Sequence, residues 1–470
     1  MAMSDSAQNL TKLSGETHRR SRVTTTSRIL IATDSVEKIK ELAVQLRGLR
    51  YDVQISFYDG KTLSAAPKRA PAAIISHFVK FPEKTEGVLR ILKSHFTPHE
   101  IPVIGVLPVP QSNPQTIFDT VLIEPVHASQ IANRVNSLIR LGAMEREIKL
   151  RVETLEKDFG QTVIIEDDGQ HPPFRVLFIG QASPGFMVVI NALQSRNVDT
   201  VAAFTSFSAF DYLHESKFDA VVMNALEHPE PALSISETMR RNARLFHVPT
   251  LFLVKDGEFA QFDKAEHHGA RDIVNVKSDV KEISGRILEL ANYHRLHDNL
   301  KGEFESLGDH SSICEKSGCF TRTFIERHAA RVFRANHKVK QPVTLLAVRP
   351  RLFCSEHVSS EYAENALMQF GQMLKNLVRM QDSVAIYDDD RFLLMFPGST
   401  EDDAKIVLER VKGLVACTAF EGGTPNSPLT LAIDHTIAEA LIHESSDLTI
   451  GRVILDLENR NSGDYLEESA

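Results

Sequence analysis

Short apolar runs separated by helix-period stretches occur as two successive series along this chain. The first series opens at Ile29-Leu30-Ile31-Ala32, and a segment follows in which Ile39, Leu42, Ala43, Leu46 and Leu49 share one helical face. Val53 with Ile55, Ala72 to Ile75, Val103 to Leu107 and Val121 to Ile123 complete it. The second series runs through Val176 to Ile179, Thr200 to Phe204, Ala220 to Met223, Leu251 to Val254 and Ile273 to Val276. Continuous short runs of this kind mark parallel strands buried on both faces. Each series predicts a doubly wound, five-stranded parallel-sheet α/β domain, over residues 28–145 and 174–300.

The rest of the chain has another rhythm. A helix from Phe324 to Asn336 precedes a strand from Val343 to Val348. A second helix, with Leu367, Phe370, Leu374 and Leu377 on one face, leads into a hairpin with arms Val384 to Tyr387 and Phe392 to Phe396. This predicts an α+β domain over 312–461. Residues 146–173 read as a connector: a charged helix from Leu138 to about Phe159, exposed or coiled-coil-like, then a linker punctuated by Glu166-Asp167-Asp168-Gly169 and Pro172-Pro173. A second helical connector from about Ile283 to Leu307 runs into a linker at 301–311. Residues 1–27 read as a solvated, disordered tail without the apolar core of a secretory signal, and 462–470 as a second tail.

Composition narrows the function classes. The 470 residues are 42% hydrophobic, enough for real cores, and the length suits about three domains. A formal charge of −9 argues against a dedicated nucleic-acid binder. No apolar run approaches the ~20 residues of a membrane span. Cys314, Cys319, Cys354 and Cys417 lack paired metal-ligand spacing, which suggests reduced thiols in a cytoplasmic protein and no metal site.

The α/β domains resemble receiver domains of two-component response regulators. Such a domain needs an acidic pair after strand one, a phosphoacceptor Asp ending strand three, a Thr or Ser after strand four and a Lys after strand five. The carboxylate nucleophile needs Mg²⁺ to neutralise the incoming phosphoryl group. The first copy offers Thr33-Asp34, His77, Leu107 and Glu124-Pro125 at these places. The second offers Gly180-Gln181, Asn224 and Val254, with Lys277 displaced by about one residue. Both His77 and Asn224 are therefore degenerate phosphoacceptor positions. The resemblance leaves these domains the roles of homodimerisation and partner docking.

The third domain resembles the GGDEF family, whose active members condense two GTP into cyclic di-GMP. The resemblance rests on Arg379-Met-Gln-Asp382, the hairpin Asp388-Asp389-Asp390-Arg391-Phe392 behind it, and Phe396-Pro397-Gly398. Active members bind Mg²⁺ through acids on two neighbouring strands and keep two hairpin glycines for close approach to substrate. Here Arg349 and Arg351 replace the first-strand acids, Asp388 and Asp389 replace the glycines, Asp390 matches, and Arg391 replaces the Glu. Arg349 and Arg351 could pair with Asp388–Asp390. The family's product site is Arg-x-x-Asp, which Arg379 and Asp382 supply in the family's register, with Arg410 as the added arginine. A guanidinium fork meets guanine O6 and N7 bidentately.

The motif alone is weak, since Arg196-Asn-Val-Asp199 also fits it. The family's C-terminal helix is not evident: Gly451-Arg452 and Asn459-Arg460-Asn461 are poor matches to its words. The leading expectation is a catalytically inactive effector with cyclic di-GMP as ligand and no cofactor. The resemblance implies protein partners of the protease-adaptor or polar kind, and recruitment to a cell pole. A structural protein that has lost the ligand, and a cyclase or GTP-binding regulator of unusual geometry, remain as alternatives.

Overall fold

Strands buried on both faces need helices on both faces, and the chain supplies them in alternation. The computed structural model describes residues 27–64, 70–96, 100–109, 117–163, 172–226, 229–242, 244–255, 269–309, 311–353, 359–424, 427–441 and 443–460. Residues 1–26 and 461–470 and the linker acids Glu166–Asp168 lie outside them. The chain divides into two compact units: residues 28–148 with 163–307, and residues 149–162 with 308–470.

The first unit holds two parallel sheets. Strands β1 (Arg28–Thr33), β2 (Asp52–Phe57), β3 (Ala73–His77), β4 (Val103–Leu107) and β5 (Thr120–Ile123) lie in the order 2-1-3-4-5. Helices α1 (Val36–Gly48) and α2 (Thr85–Ser94) pack on it, and α3 (Ala128–Phe159) begins after β5. The same strand plan recurs, with one helix more between its second and third strands among the described residues, in β6 (Arg175–Ile179), α4 (Pro184–Gln194), β7 (Asp199–Ala203), α5 (Ser206–Glu215), β8 (Ala220–Asn224), α6 (Pro229–Arg241), β9 (Thr250–Val254), β10 (Asp272–Asn275) and α7 (Val280–Ser306), with strand order 7-6-8-9-10. Each sheet carries two cores, one per face. All pairings among these strands are parallel.

The two receiver-like domains meet through β5 and β10 and the helices that follow them. Arg134 reaches Asp272 at 2.9 Å and Glu289 at 3.2 Å, while Gln130 donates to Asp272 at 2.7 Å. Arg134 and Asp272 are almost fully buried. Removing one partner of such a pair strands the other's charge, at a cost of about 3–5 kcal/mol.

The other unit is the α+β domain. Helix α8 (Arg322–Lys338) is followed by β11 (Val343–Phe353), α9 (Ser360–Leu377), β12 (Ser383–Ile386), β13 (Phe392–Pro397), α10 (Glu401–Ala416), β14 (Phe420–Thr424), β15 (Ser427–Glu439) and α11 (Ser446–Arg460). The antiparallel sheet runs β12-β13-β11-β15-β14. Alternation along β11 sends Leu346 and Val348 to the α9 and α10 face, and Leu345 and Ala347 to the α8 and α11 face.

Three expectations need correction. The family's C-terminal helix is present as α11, which buries Ile450, Val453 and Leu457. β11 runs on to Phe353, so Arg349 and Arg351 stand inside the strand and not after it. The connector helix is not exposed: Glu147, Arg151, Thr154 and Leu155 are buried. Among the described residues, no helix is long and apolar enough to cross a membrane.

Candidate functional site: the turn before the hairpin

Helix α9 ends at Leu377, and Val378 leaves it in an extended conformation. The next four residues form a tight turn in which the Asp382 N–H donates to the Arg379 carbonyl at 3.0 Å. The Asp382 carboxylate turns back and accepts the Arg379 N–H at 2.9 Å. Asp382 is only 7% exposed, whereas Arg379 lies at the surface. The carboxylate thus braces the backbone, and the guanidinium projects outward from a fixed base.

A second brace comes from the segment of α3 in this unit. Arg151 is 5% exposed, and its Nη2 donates to the Asp382 carbonyl at 2.9 Å and the Met380 carbonyl at 3.1 Å, within 3.4 Å of Ser383 Oγ. Its guanidinium also lies 5.0 Å from the centroid of the Phe320 ring, a cation–π distance. Nearby, Thr154 hydrogen-bonds His328 at 3.0 Å, Phe159 packs on Phe324, and Asp158 pairs with Arg331. The sequence reading missed Arg151. Its only trace there is a polar residue on the buried stripe of a helix.

Arg410 is exposed on α10, whose Leu408 and Val411 share a core with Leu374 of α9. One hydrophobic layer therefore supports both the motif's helix and the third arginine.

The hairpin is arranged differently. Arg391 pairs with Asp388 across the turn and with Glu458 of α11, and these acids hold its guanidinium above the usual range, Asp388 most strongly. Arg349 lies 3.5 Å from Asp390. Arg351 turns to Asp434 at 2.9 Å instead of to the hairpin. Asp389 is exposed. The residues do not fit the metal that the GGDEF resemblance implies. Two cations stand where ligands belong, and among the described residues no three His, Cys, Asp or Glu side chains are placed to hold a metal ion.

Among the described residues, the receiver-like sites place other groups where the resemblance expects acids and a lysine. His77 is 1% exposed; its Nε2 meets Glu124 at 2.9 Å and its Nδ1 faces Thr33 at 3.4 Å. A His–Glu pair thus occupies the places of the phosphoacceptor and the lysine. The remaining acid, Asp34, accepts backbone N–H groups of Val79, Lys80 and Phe81 and so shapes the loop after β3. In the second domain, Asn224 donates to the Gln181 carbonyl at 2.6 Å and accepts from Leu226. Gly180 stands at φ +123°, and a Cβ there would come within 2.8 Å of the Asn224 Cβ. The acidic-pair position is therefore a backbone turn that glycine suits.

No protein-family model matches the chain. Over 415 residues it is 22% identical to the response regulator PleD of Caulobacter vibrioides strain NA1000 / CB15N, covering 84% of this chain and 88% of that protein. Among solved structures, it is similar to the GGDEF domain of DgcB from Caulobacter crescentus in complex with c-di-GMP, at 12% identity over 33% of this chain and 90% of that one, TM-score 0.29. It is also similar to a putative response regulator from Chloroflexus aurantiacus, at 15% identity over 26% of this chain and 98% of that one, TM-score 0.24. The chain is thus similar to PleD along most of its length, with two receiver-like domains ahead of a third domain of helix-flanked antiparallel sheet.

Proposed function

We propose that this protein is a non-catalytic cyclic di-GMP effector. The observation that carries the reading is the contrast within one domain. The hairpin acids Asp388 and Asp390 face arginines, while the Arg379–Asp382 turn is braced from two sides and presents its arginine outward. A preorganised base lowers the ordering cost of ligand capture. Arg379 would take guanine O6 and N7, with Arg410 joining from α10. Because Arg151 grips the same turn, ligand capture would act on the α3 segment it belongs to.

The finer resemblance is to the degenerate effector PopA, which implies a cytoplasmic scaffold, drawn to a cell pole, that brings protein substrates to a protease, and a homodimer through the receiver-like domains. The reading is tested by calorimetry with cyclic di-GMP and with GTP, and by incubation with GTP and Mg²⁺. Saturable binding of cyclic di-GMP without turnover supports it. No binding of either nucleotide leaves a purely structural role, and steady cyclic di-GMP production makes the protein a cyclase.

A further inference from the structure

The hairpin that precedes α8 carries two of the chain's four cysteines, Cys314 and Cys319. Ile313 and Phe320 pair across it in antiparallel fashion. The Thr321 N–H donates to the Ser312 carbonyl at 2.8 Å, and the Cys314 N–H to the Cys319 carbonyl at 2.8 Å. Those bonds make Cys314 and Cys319 the next pair along the hairpin. Residues opposed in this way stand about 5.5 Å apart at Cα and send their side chains to one face. A disulfide spans Cα separations of about 4.4–6.8 Å. Both thiols are free.

Their surroundings differ. Cys319 is fully buried in the core that α9 shares with β13, and a Cβ on Gly371 of α9 would come within 3.1 Å of its Sγ. Burial pushes this thiol up to about 11. Cys314 is only half-buried. Burial opposes its ionisation, yet the Ser317 hydroxyl and the N–H groups of Ser317 and Lys316 bond to its sulfur and hold the thiol below its usual range. The Ser317 hydroxyl acts on Cys319 as well, so one side chain lies against both sulfurs. A partly exposed cysteine with a stabilised thiolate is the one an oxidant attacks, and a second thiol beside it turns that oxidation into a disulfide.

We propose that Cys314 and Cys319 form a peroxide-responsive modification site, in which Cys314 is oxidised first and Cys319 then closes a reversible disulfide. In the first step the Cys314 thiolate attacks one oxygen of hydrogen peroxide. An S–O bond forms, the O–O bond breaks, and the leaving hydroxide takes up a proton to become water. In the second step the Cys319 sulfur attacks the Cys314 sulfur. The S–S bond forms, the S–O bond breaks, and the departing hydroxide leaves as water with the Cys319 proton. The two sulfurs lose two electrons in all, and one peroxide is reduced to two waters. The oxidant needs to reach only Cys314, because Cys319 reacts from within the protein. The raised thiol of Cys319 makes the second step the slower one.

The site does not depend on the nucleotide reading, but it lies close to the candidate turn. The Phe320 N–H donates to the Val384 carbonyl at 2.8 Å, and the Phe320 carbonyl accepts from Ile386 at 2.9 Å, which seats the hairpin on β12. Gln372 of α9 donates to the Lys316 carbonyl at 2.7 Å. A bridge from Cys314 to Cys319 therefore stiffens a hairpin that rests on both the helix before the Arg379–Asp382 turn and the strand after it.

The test uses the full chain, reduced and then exposed to hydrogen peroxide, with peptide mapping by mass spectrometry. The expected product is an internal Cys314–Cys319 bridge that dithiothreitol reopens. Cys314 should be oxidised about tenfold faster than the exposed Cys417. In Cys319→Ala the bridge should be lost and a dimedone-reactive sulfenic acid should persist at Cys314. Cys314→Ser should leave Cys319 unoxidised, and Cys417→Ser should change neither result. Where a cysteine variant fails to fold, the peptide map of the parent protein decides alone. Cys314 still present as a thiol once Cys417 has been oxidised overturns the proposal. So does a Cys314 that is oxidised without bridging to Cys319, or that bridges to Cys354 or Cys417 instead.

Discussion

A single short strand, β12, separates the Arg379–Asp382 turn from the Asp388–Arg391 hairpin, yet the two use the same residue types in opposite ways. In the hairpin Asp388 neutralises Arg391 directly, and Asp390 lies by Arg349. In the turn the carboxylate of Asp382 accepts a backbone N–H, and the guanidinium of Arg379 is left outside. Where a carboxylate finds its donor thus decides whether the neighbouring arginine remains available to a ligand. A local side-chain bond to the backbone N–H three residues back fixes the loop without engaging the guanidinium it presents.

The largest effect should come from removing that charge. A bidentate guanidinium–guanine contact is worth about 1–3 kcal/mol of discrimination. Arg379→Ala should therefore weaken cyclic di-GMP binding about tenfold to hundredfold by calorimetry, with the melting temperature of the unliganded protein nearly unchanged. Wild-type affinity in this variant would remove the turn from the ligand site and with it the contrast.

Asp382 and Arg151 should act through position. Asp382→Asn keeps an acceptor for the Arg379 N–H but loses the charge, and should weaken binding less than Arg379→Ala does. Arg151→Ala takes a charged donor away from two carbonyls in a buried place, where charged hydrogen bonds contribute about 1.5–3 kcal/mol. It should lower stability by that order and ligand affinity by about threefold to tenfold, since a looser turn pays more ordering entropy on binding. Amide exchange should show residues 149–159 and 379–383 losing protection together. Loss of protection in the helix segment alone would mean that Arg151 supports packing and does not position the turn.

Much of this was legible in the sequence, for a physical reason. Two-sided burial of a parallel strand demands an unbroken apolar run, and the runs at Ile29, Val103, Val176 and Leu251 fall inside β1, β4, β6 and β9. Helix α11 was equally legible from Ile450, Val453, Ile454 and Leu457 at helical spacing, but matching Gly451-Arg452 to family words hid it. The Arg379–Asp382 register before the hairpin was visible because both ends lie within one short segment. Arg151 was not, because its acceptors are main-chain carbonyls some 230 residues on, and carbonyls leave no mark on sequence. The inward turn of Asp382 was hidden for the same reason: its acceptor role is set by backbone geometry.

The smallest effect belongs to the hairpin. Arg391 pairs with a largely buried Asp388 and with a half-exposed Glu458, and the Glu458 pair, the more open of the two, contributes at most about 1 kcal/mol. Arg391→Ala should lower the melting temperature slightly, and the loss should shrink further in high salt, because exposed pairs are screened. Cyclic di-GMP affinity should stay within twofold of the parent. The value of this variant lies in its pairing with Arg151→Ala. Arg151 touches the turn and Arg391 does not, so the two predict different affinities even where their stabilities are matched by added denaturant. If Arg391→Ala weakens binding as much as Arg151→Ala, the ion pairs of the hairpin are part of the ligand site. The turn and the hairpin would then be one functional surface, and the separation between a retained site and a neutralised one would no longer hold.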